Sequence, residues 1–266
     1  MAKLNMLMRL NGRRALITGA GGGLGCAIAQ TLAELGADLI LLDRPDSQLA
    51  ELATRIRTDW GVDLCVRYCD LESQTERGAF IAEILHEGRL DIIINNAAFV
   101  GTSGLKGWSV PFEQQSIETW RRALEVNLTA AFHLCQGLGP LLSSSGHGSI
   151  INIASIYGEY GPDWRLYEGT SMSNPAAYAV SKGGLLQLTR WLATTMAPAV
   201  RVNAISPGGI ERGQVEAFVS RYEARTPLGR MATEDDFLGA VAFFASDMSG
   251  YVTGQNLSID GGWGVW

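Results

Sequence analysis

Short β-branched or leucine-rich runs alternate with amphipathic helical stretches from residue 15 to residue 259, and this alternation limits the chain more than any other feature. Parallel strands cannot be joined by a tight turn; they need a crossover of a dozen or more residues, usually a helix. A chain that keeps alternating in this way folds into a parallel sheet with helices on both faces. The pattern predicts strands at 15–18, 39–42, 63–68, 91–94, 149–153, 201–205 and 256–259. Between them it predicts helices at 24–36, 46–60, 73–86, 117–138, 175–197 and 233–245. The run Ile92-Ile93-Ile94 has no polar alternation, which marks a strand buried on both faces. At the helix over 175–197, Asn174 stands in the capping position, Pro175 suits the first turn and Pro198 closes the far end. Segments 158–174 and 208–229 carry neither period and are expected to be loops on the substrate side. No repeat or linker interrupts the pattern, so residues 1–266 are expected to form one domain: a doubly wound α/β fold with a mainly parallel, seven-stranded sheet.

Composition removes several function classes. The formal charge of −6 has no basic run behind it, so neither a nucleic-acid groove nor a membrane-surface patch is expected. His86, His133 and His147 are dispersed without ligand spacing, which argues against a metal site. The cysteines Cys26, Cys65, Cys69 and Cys135 form no disulfide framework, and Cys65 and Cys69 are expected as free thiols on one strand face. Residues 1–14 have no apolar signal core, and no stretch approaches a membrane-spanning length. A reducing cytoplasm is the expected setting.

Glycine clusters where the first strand meets the first long helix: Thr18-Gly19-Ala20-Gly21-Gly22-Gly23-Leu24-Gly25. Such a turn lets the backbone approach a pyrophosphate, while the helix N-terminus offers free N–H groups and the positive end of its dipole. The second strand ends at Asp43, 18 residues beyond Gly25. A carboxylate at that distance accepts hydrogen bonds from the adenine ribose and repels a 2′-phosphate, which favours NAD over NADP. Arg44 follows at once and keeps NADP open.

Only three lysines occur, Lys3, Lys106 and Lys182, and the last lies four residues after Tyr178. That spacing puts phenol and ammonium on one helix face. Random placement of seven tyrosines and three lysines would yield about 0.08 such pairs. A free tyrosine titrates near 10, too high for a base at neutrality, and a neighbouring cation favours the phenolate.

Taken together, these motifs resemble the short-chain dehydrogenase/reductase family in its shorter, single-domain branch. The likeness runs through Thr18 to Gly25, Asp43, Asp70-Leu71, Asn95-Asn96-Ala97-Ala98, Asn127, Ser155, Tyr178 to Lys182, Pro207-Gly208 and Asp260-Gly261-Gly262. The resemblance implies reversible alcohol–carbonyl interconversion with a nicotinamide cofactor. Tyr178 would be the acid–base group, Ser155 the hydrogen-bond partner of the substrate oxygen, and Lys182 the residue that binds the nicotinamide ribose and tunes the phenol. Asn127 would hold a water linking the lysine to solvent. Gly19, Gly23, Leu24 and Gly25 would carry the phosphates, and Asp43 and Arg44 would face the ribose. Asp70 and Leu71 would flank the adenine, Asn96 and Ala97 would line the cleft, and Pro207, Gly208 and Ile210 would pass the carboxamide. A homo-oligomer, tetramer or dimer, joined through the helices over 117–138 and 175–197 is also implied.

The departures bear on substrate. Arg212 stands where the family usually has a threonine, and Ala98 where it usually has glycine. The interval between Ser155 and Tyr178 is longer than is usual in the family. Its extra segment, 158–174, is similar to one in members linked to flagellin modification and sialic-acid-like sugar biosynthesis. Tyr160, Trp164 and Tyr167 offer faces for a sugar or another polyhydroxylated molecule, or for a neighbouring subunit. Arg165 and Arg212 are candidates for an anionic substrate group, since a guanidinium fork can bond two oxygens. An NADP-linked carbonyl reductase, such as an oxoacyl-carrier-protein reductase, is the nearest alternative. A cofactor-binding scaffold without catalysis and a sugar-nucleotide epimerase or dehydratase are more distant ones.

Overall fold

The computed structural model of the protein describes residues 3–101 and 103–266. Seven parallel strands form one sheet: β1 (Arg14–Thr18), β2 (Asp38–Asp43), β3 (Leu64–Tyr68), β4 (Ile92–Asn95), β5 (Gly148–Ile153), β6 (Val200–Pro207) and β7 (Asn256–Ile259). Their order is β3-β2-β1-β4-β5-β6-β7, so the winding reverses between β1 and β4. Register sets Ile17 beside Leu41 of β2 and Ile94 of β4.

Successive strand residues point to opposite faces, and both faces are buried. Leu16, Ile40, Leu42, Ile93, Ile150 and Val202 enter one core. There they meet α4 (Gln74–Glu87), α6 (Ala130–Ser144) and the end of α7 (Ala176–Thr195). Ala15, Ile17, Leu39, Leu41, Ile94 and Ile151 enter the other. That core is closed by α2 (Gly23–Glu34), α3 (Leu49–Trp60) and α9 (Leu238–Ala245). A short exposed helix, α1 (Lys3–Met8), precedes β1. The last two helices are α5 (Ile117–Leu124), capped by Ser116 on the Thr119 N–H at 3.3 Å, and α8 (Glu216–Arg225).

The structure departs from the sequence pattern in four places. The helix expected over 117–138 is broken by a π turn at Glu125–Thr129. The one over 233–245 opens as a 3₁₀ turn, Glu234–Phe237. The segment 208–229 is not all loop, because α8 occupies its middle. Asn174 does not cap α7: Pro175 takes that position without a side-chain bond, and Asn174 is buried against Tyr167. Segment 158–174 packs on α8 through a small third core of Ile156, Leu166, Phe218, Tyr222, Met231 and Trp263. Arg221 donates to the Leu166 and Glu168 carbonyls, and Arg225 pairs with Asp163 at 3.0 Å. All four cysteines are free; Cys69 lies just past β3, and Cys65 accepts from Arg14 at 3.3 Å. Among the described residues no helix is long and apolar enough to cross a membrane, and no group of three or more potential ligands is placed to hold a metal ion.

Candidate active site

Every residue of the glycine-rich turn lies at the C-terminal edge of the sheet, where the winding reverses and a crevice opens. Gly19 has φ +64°, and a Cβ there would stand 2.8 Å from the Ala97 Cα, so only glycine fits this approach. Gly25 is held as tightly: its Cβ would reach within 2.1 Å of the Gly19 carbonyl oxygen. The loop after β4 is laced onto the turn. Thr18 Oγ1 accepts the N–H groups of Asn96 and Ala97 at 3.0 and 3.1 Å, and Asn96 Nδ2 donates to the carbonyls of Thr18 and Gly19, both at 3.0 Å. Gly22 gives α2 no side-chain cap, which leaves the N–H groups of its first turn, at Gly23 and Leu24, for a ligand. The cradle therefore fits a dinucleotide diphosphate.

The residues expected at the ribose and the adenine follow the same edge. Asp43, last residue of β2, accepts the Gly21 N–H at 2.7 Å and the Arg44 N–H at 2.8 Å. The Arg44 side chain is exposed and 3.5 Å from Asp46. Asp70 turns its carboxylate onto the Glu72 N–H at 2.9 Å. Leu71 is buried and shares a small cavity with Thr18, Asn95, Ala97, Val126 and Asn127.

Ser155 follows β5 and Tyr178 and Lys182 lie on α7, and the fold brings all three together. The Ser155 side chain lies beside the Tyr178 phenol, and its hydroxyl accepts the Tyr157 N–H at 3.2 Å. Lys182 is buried beneath, its Nζ 5.7 Å from the centre of the Tyr178 ring and donating to the Ile153 carbonyl at 2.6 Å. Burial pushes the Tyr178 phenol above its ordinary value; the Ser155 hydroxyl and the Arg212 charge pull the other way. Burial also brings the Lys182 ammonium down to about 8. Sequence reasoning made Lys182 the residue that lowers the phenol, but in the structure desolvation dominates both groups.

Asn127 sits inside the π turn, and its side-chain amide is already spent. It accepts the Phe99 N–H at 2.7 Å and donates to the Phe99 carbonyl at 3.1 Å and to Ser181 at 3.0 Å. The side chain thus braces the loop after β4. Pro207 ends β6, and Gly208 and Ile210 continue from it: the Gly208 N–H meets the Ile259 carbonyl at 2.8 Å, and Ile210 bridges to Ala232. The two arginine candidates part company. Arg212 lies near enough to Tyr178 to act on its phenol and pairs with Glu234 at 2.9 Å. Arg165 is exposed, forked on Asp163 at 2.7 and 2.8 Å, and lines a separate cavity of about 280 Å³ with Tyr160, Arg225, Trp263 and Trp266.

Three residues of the site have no mark in the sequence. Tyr222 of α8 accepts the Gly209 N–H at 2.6 Å and so fixes the loop after β6. Arg77, fully buried, binds the Leu71 carbonyl, Glu125 of the π turn and His133 at once. Glu234 stands over the glycine-rich turn, where a Cβ on Gly23 would lie 2.8 Å from its Oε1. Only the fold brings these together; the spacing of an acidic residue after Thr233 signals a helix start and nothing more.

A reversed parallel sheet, a glycine cradle at the switch and a Ser–Tyr–Lys cluster beside it define a nicotinamide-dependent oxidoreductase. Residues 19–264 match the family model described as enoyl-(acyl carrier protein) reductase. The galactitol 2-dehydrogenase of Rhizobium johnstonii is 32% identical over 268 aligned residues, covering 97% of each chain. Among solved structures, one described as a putative NAD(P)-dependent gluconate 5-dehydrogenase from Beutenbergia cavernae, with bound NADP at low occupancy, superposes with a TM-score of 0.86 at 35% identity. It covers 98% of this chain and 100% of its own. An NAD⁺-bound xylitol dehydrogenase superposes at 0.82 with 30% identity, covering 95% and 99%. The chain belongs to the short-chain dehydrogenase/reductase family, whose reaction is hydride transfer with a nicotinamide cofactor.

Proposed function

We propose that this protein is an NAD-linked dehydrogenase that interconverts the alcohol and carbonyl forms of a polyol or a sugar-derived acid, with Tyr178 as the acid–base group. The observation that carries the reading is the Tyr178 phenol beside the Ser155 hydroxyl, with the buried Lys182 Nζ 5.7 Å from its ring centre. Gly19, Gly23, Leu24 and Gly25 would hold the cofactor phosphates, and Asp43 the adenine ribose. Asp70, Leu71, Asn96 and Ala97 would line the adenine side and the cleft, and Pro207, Gly208 and Ile210 the nicotinamide end. When bound, the nicotinamide supplies or accepts the hydride. Ser155 donates to the substrate oxygen, and Tyr178 gives that oxygen a proton or takes one from it. Asn127 keeps Phe99 in place beside them. Burial disfavours a bare phenolate, so the cations near Tyr178 carry the electrostatic part of catalysis.

Asp43 supports NAD, because its carboxylate would face a 2′-phosphate with like charge. The substrate class rests on the relatives whose names are galactitol, gluconate and xylitol dehydrogenases. A sugar of the kind handled in flagellin modification or sialic-acid-like biosynthesis is the narrower form of this reading, supported by the sequence of 158–174. Arg165, paired outward on Asp163, would brace that segment. The free thiols suit a reducing cytoplasm. Ile117, Phe132, Val180 and Trp191 are exposed on α5, α6 and α7, and an oligomer joined through these helices would cover them.

The test is calorimetric titration with NADH and NADPH, followed by NAD⁺ reduction with galactitol, xylitol and gluconate. Tighter NADH binding, and turnover that Tyr178→Phe abolishes while NADH still binds, are expected. Tighter NADPH binding would make the exposed Arg44 the selector and put an NADP-linked carbonyl reductase first. Turnover unaffected by Tyr178→Phe would end the acid–base assignment.

A further inference from the structure

The Arg212–Glu234 pair occupies a particular place. A Cβ on Gly23, the first residue of α2, would lie 2.8 Å from Glu234 Oε1 and 3.4 Å from Arg212 Nη2. The ion pair therefore fills the space that the missing Gly23 side chain leaves open, at the uncapped N-terminus of the helix that would carry the cofactor diphosphate. Glu234 is held there by its backbone. It opens the 3₁₀ turn closed by the Thr233–Asp236 capping box, and the positive helix end favours its carboxylate. Arg212 is held less firmly. It lies at the exposed tip beyond the Ile210–Ala232 bridge, followed by Gly213 at φ +73°, with the Gln214 side chain on its N–H at 2.7 Å. Both of its bonds to Glu234 go to one oxygen, Nε at 3.2 Å and Nη2 at 2.9 Å.

A diphosphate brought to the same helix end carries more negative charge than one carboxylate and offers oxygens for both arms of the fork. It would be repelled by Glu234 and attracted by Arg212. We propose that Arg212 is a diphosphate-binding residue of the cofactor site and Glu234 its built-in competitor: the guanidinium leaves Glu234 for the cofactor, drawing the tip of the 208–229 segment over it. The inference rests on the nicotinamide-cofactor reading and replaces the expectation that Arg212 recognises a substrate anion. It also accounts for an arginine where the resemblance led us to expect threonine. Glu234 then sets how readily the cofactor leaves, because it recaptures the arginine.

The experiment is calorimetry of NADH and of ADP-ribose, which keeps the diphosphate but lacks nicotinamide, on the wild type, Arg212→Gln, Arg212→Lys and Glu234→Gln. Thermal melting confirms that each variant is folded. Arg212→Gln should weaken both ligands about tenfold, Arg212→Lys about threefold, and Glu234→Gln should tighten both several-fold. ADP-ribose affinity unchanged in Arg212→Gln would place the arginine on nicotinamide or substrate and overturn the proposal. So would a Glu234→Gln variant that binds no tighter than the wild type. A wild type that binds neither ligand would fail differently, removing the cofactor reading itself.

Discussion

Replacing Gly25 by alanine should damage both stability and cofactor binding, through one contact. The added Cβ would lie 2.1 Å from the Gly19 carbonyl oxygen and 2.9 Å from Ala20 Cα, both backbone atoms that no rotamer change can move. Reaching even a 3.0 Å approach opens the turn by about 1 Å. A clash this short against backbone belongs to the upper part of the usual overpacking cost, about 2–3 kcal/mol. The better helix propensity of alanine returns at most about 1 kcal/mol. A net loss of about 1–2 kcal/mol corresponds to a fall of roughly 2–8 °C in melting temperature for a domain of this size. Binding should suffer more, because charged hydrogen bonds from the turn's N–H groups are worth about 1.5–3 kcal/mol each and depend on alignment. NADH affinity is expected to fall at least tenfold. Gly22→Ala is the control: its Cβ would meet only the Gly19 oxygen, at an ordinary 3.4 Å, and its φ of −75° suits alanine. Scanning calorimetry and NADH titration of the two variants decide the matter. Gly25→Ala with a melting point within 1 °C of wild type and NADH affinity within twofold would refute the reasoning.

Three more outcomes are expected. Lys182→Met should cut turnover at least about 100-fold, in the range set by losing acid–base assistance. Yet it should melt no lower than wild type at pH 7, since a buried ammonium with one bond is removed. The Lys182 value drops from 10.5 to about 8 on folding, so holding its charge penalises the fold fully below pH 8 and ceases to do so near 10.5. Wild type should therefore gain on Lys182→Met as pH rises from 8 to 10, and a melting-point difference constant across that window would contradict the burial argument. Asp43→Asn removes one charge from the partly exposed end of β2, where we propose the adenine ribose lies, worth about 1–2 kcal/mol against a 2′-phosphate; the ratio of NADPH to NADH affinity should rise about 5- to 30-fold by paired titration. Gly78 is exposed on α4 with nothing within 4 Å of a Cβ, so Gly78→Ala should stabilise by about 0.5–1 kcal/mol in urea unfolding.

What could be read from the sequence was what depends on local periods and near neighbours. Ile92-Ile93-Ile94 declares a strand buried on both faces because nothing polar interrupts it, and it became the centre of the sheet. Tyr178 and Lys182 share one helix face by spacing alone, and both point to Ser155's side of the cleft. α8 was hidden because its apolar face is only Phe218, Val219 and Tyr222, and their partners, Leu166 and Trp263, lie more than 40 residues away in the chain. The π turn was hidden for the opposite reason. Residues 117–138 carry an unbroken helical period, and the bulge is set by what its side chains reach: Asn127 to Phe99 and Glu125 to Arg77. Asn174 looked like a cap, yet burial beside Tyr167 claimed it first. Local propensity yields wherever a polar side chain finds a better partner across the fold.

The placement of cations around Tyr178 joins the cofactor site to the chemistry. Lys182 approaches from beneath, fixed on the Ile153 carbonyl, and Arg212 acts from the loop above. Burial raises the phenol, and of the two cations Arg212 is the one that pulls it back, beside the Ser155 hydroxyl. They are not equivalent. Lys182 loses its proton near pH 8, whereas a guanidinium keeps its charge throughout the working range. If Arg212 commits its fork to the cofactor diphosphate, its positive charge is largely neutralised there, and the balance at the phenol passes to Lys182. Tyr178 would then feel a titratable cation once the cofactor is bound and a permanent one before. The alkaline limb of the turnover profile should accordingly follow Lys182, and Glu234, though it touches no reacting atom, would influence that limb by deciding where Arg212 rests.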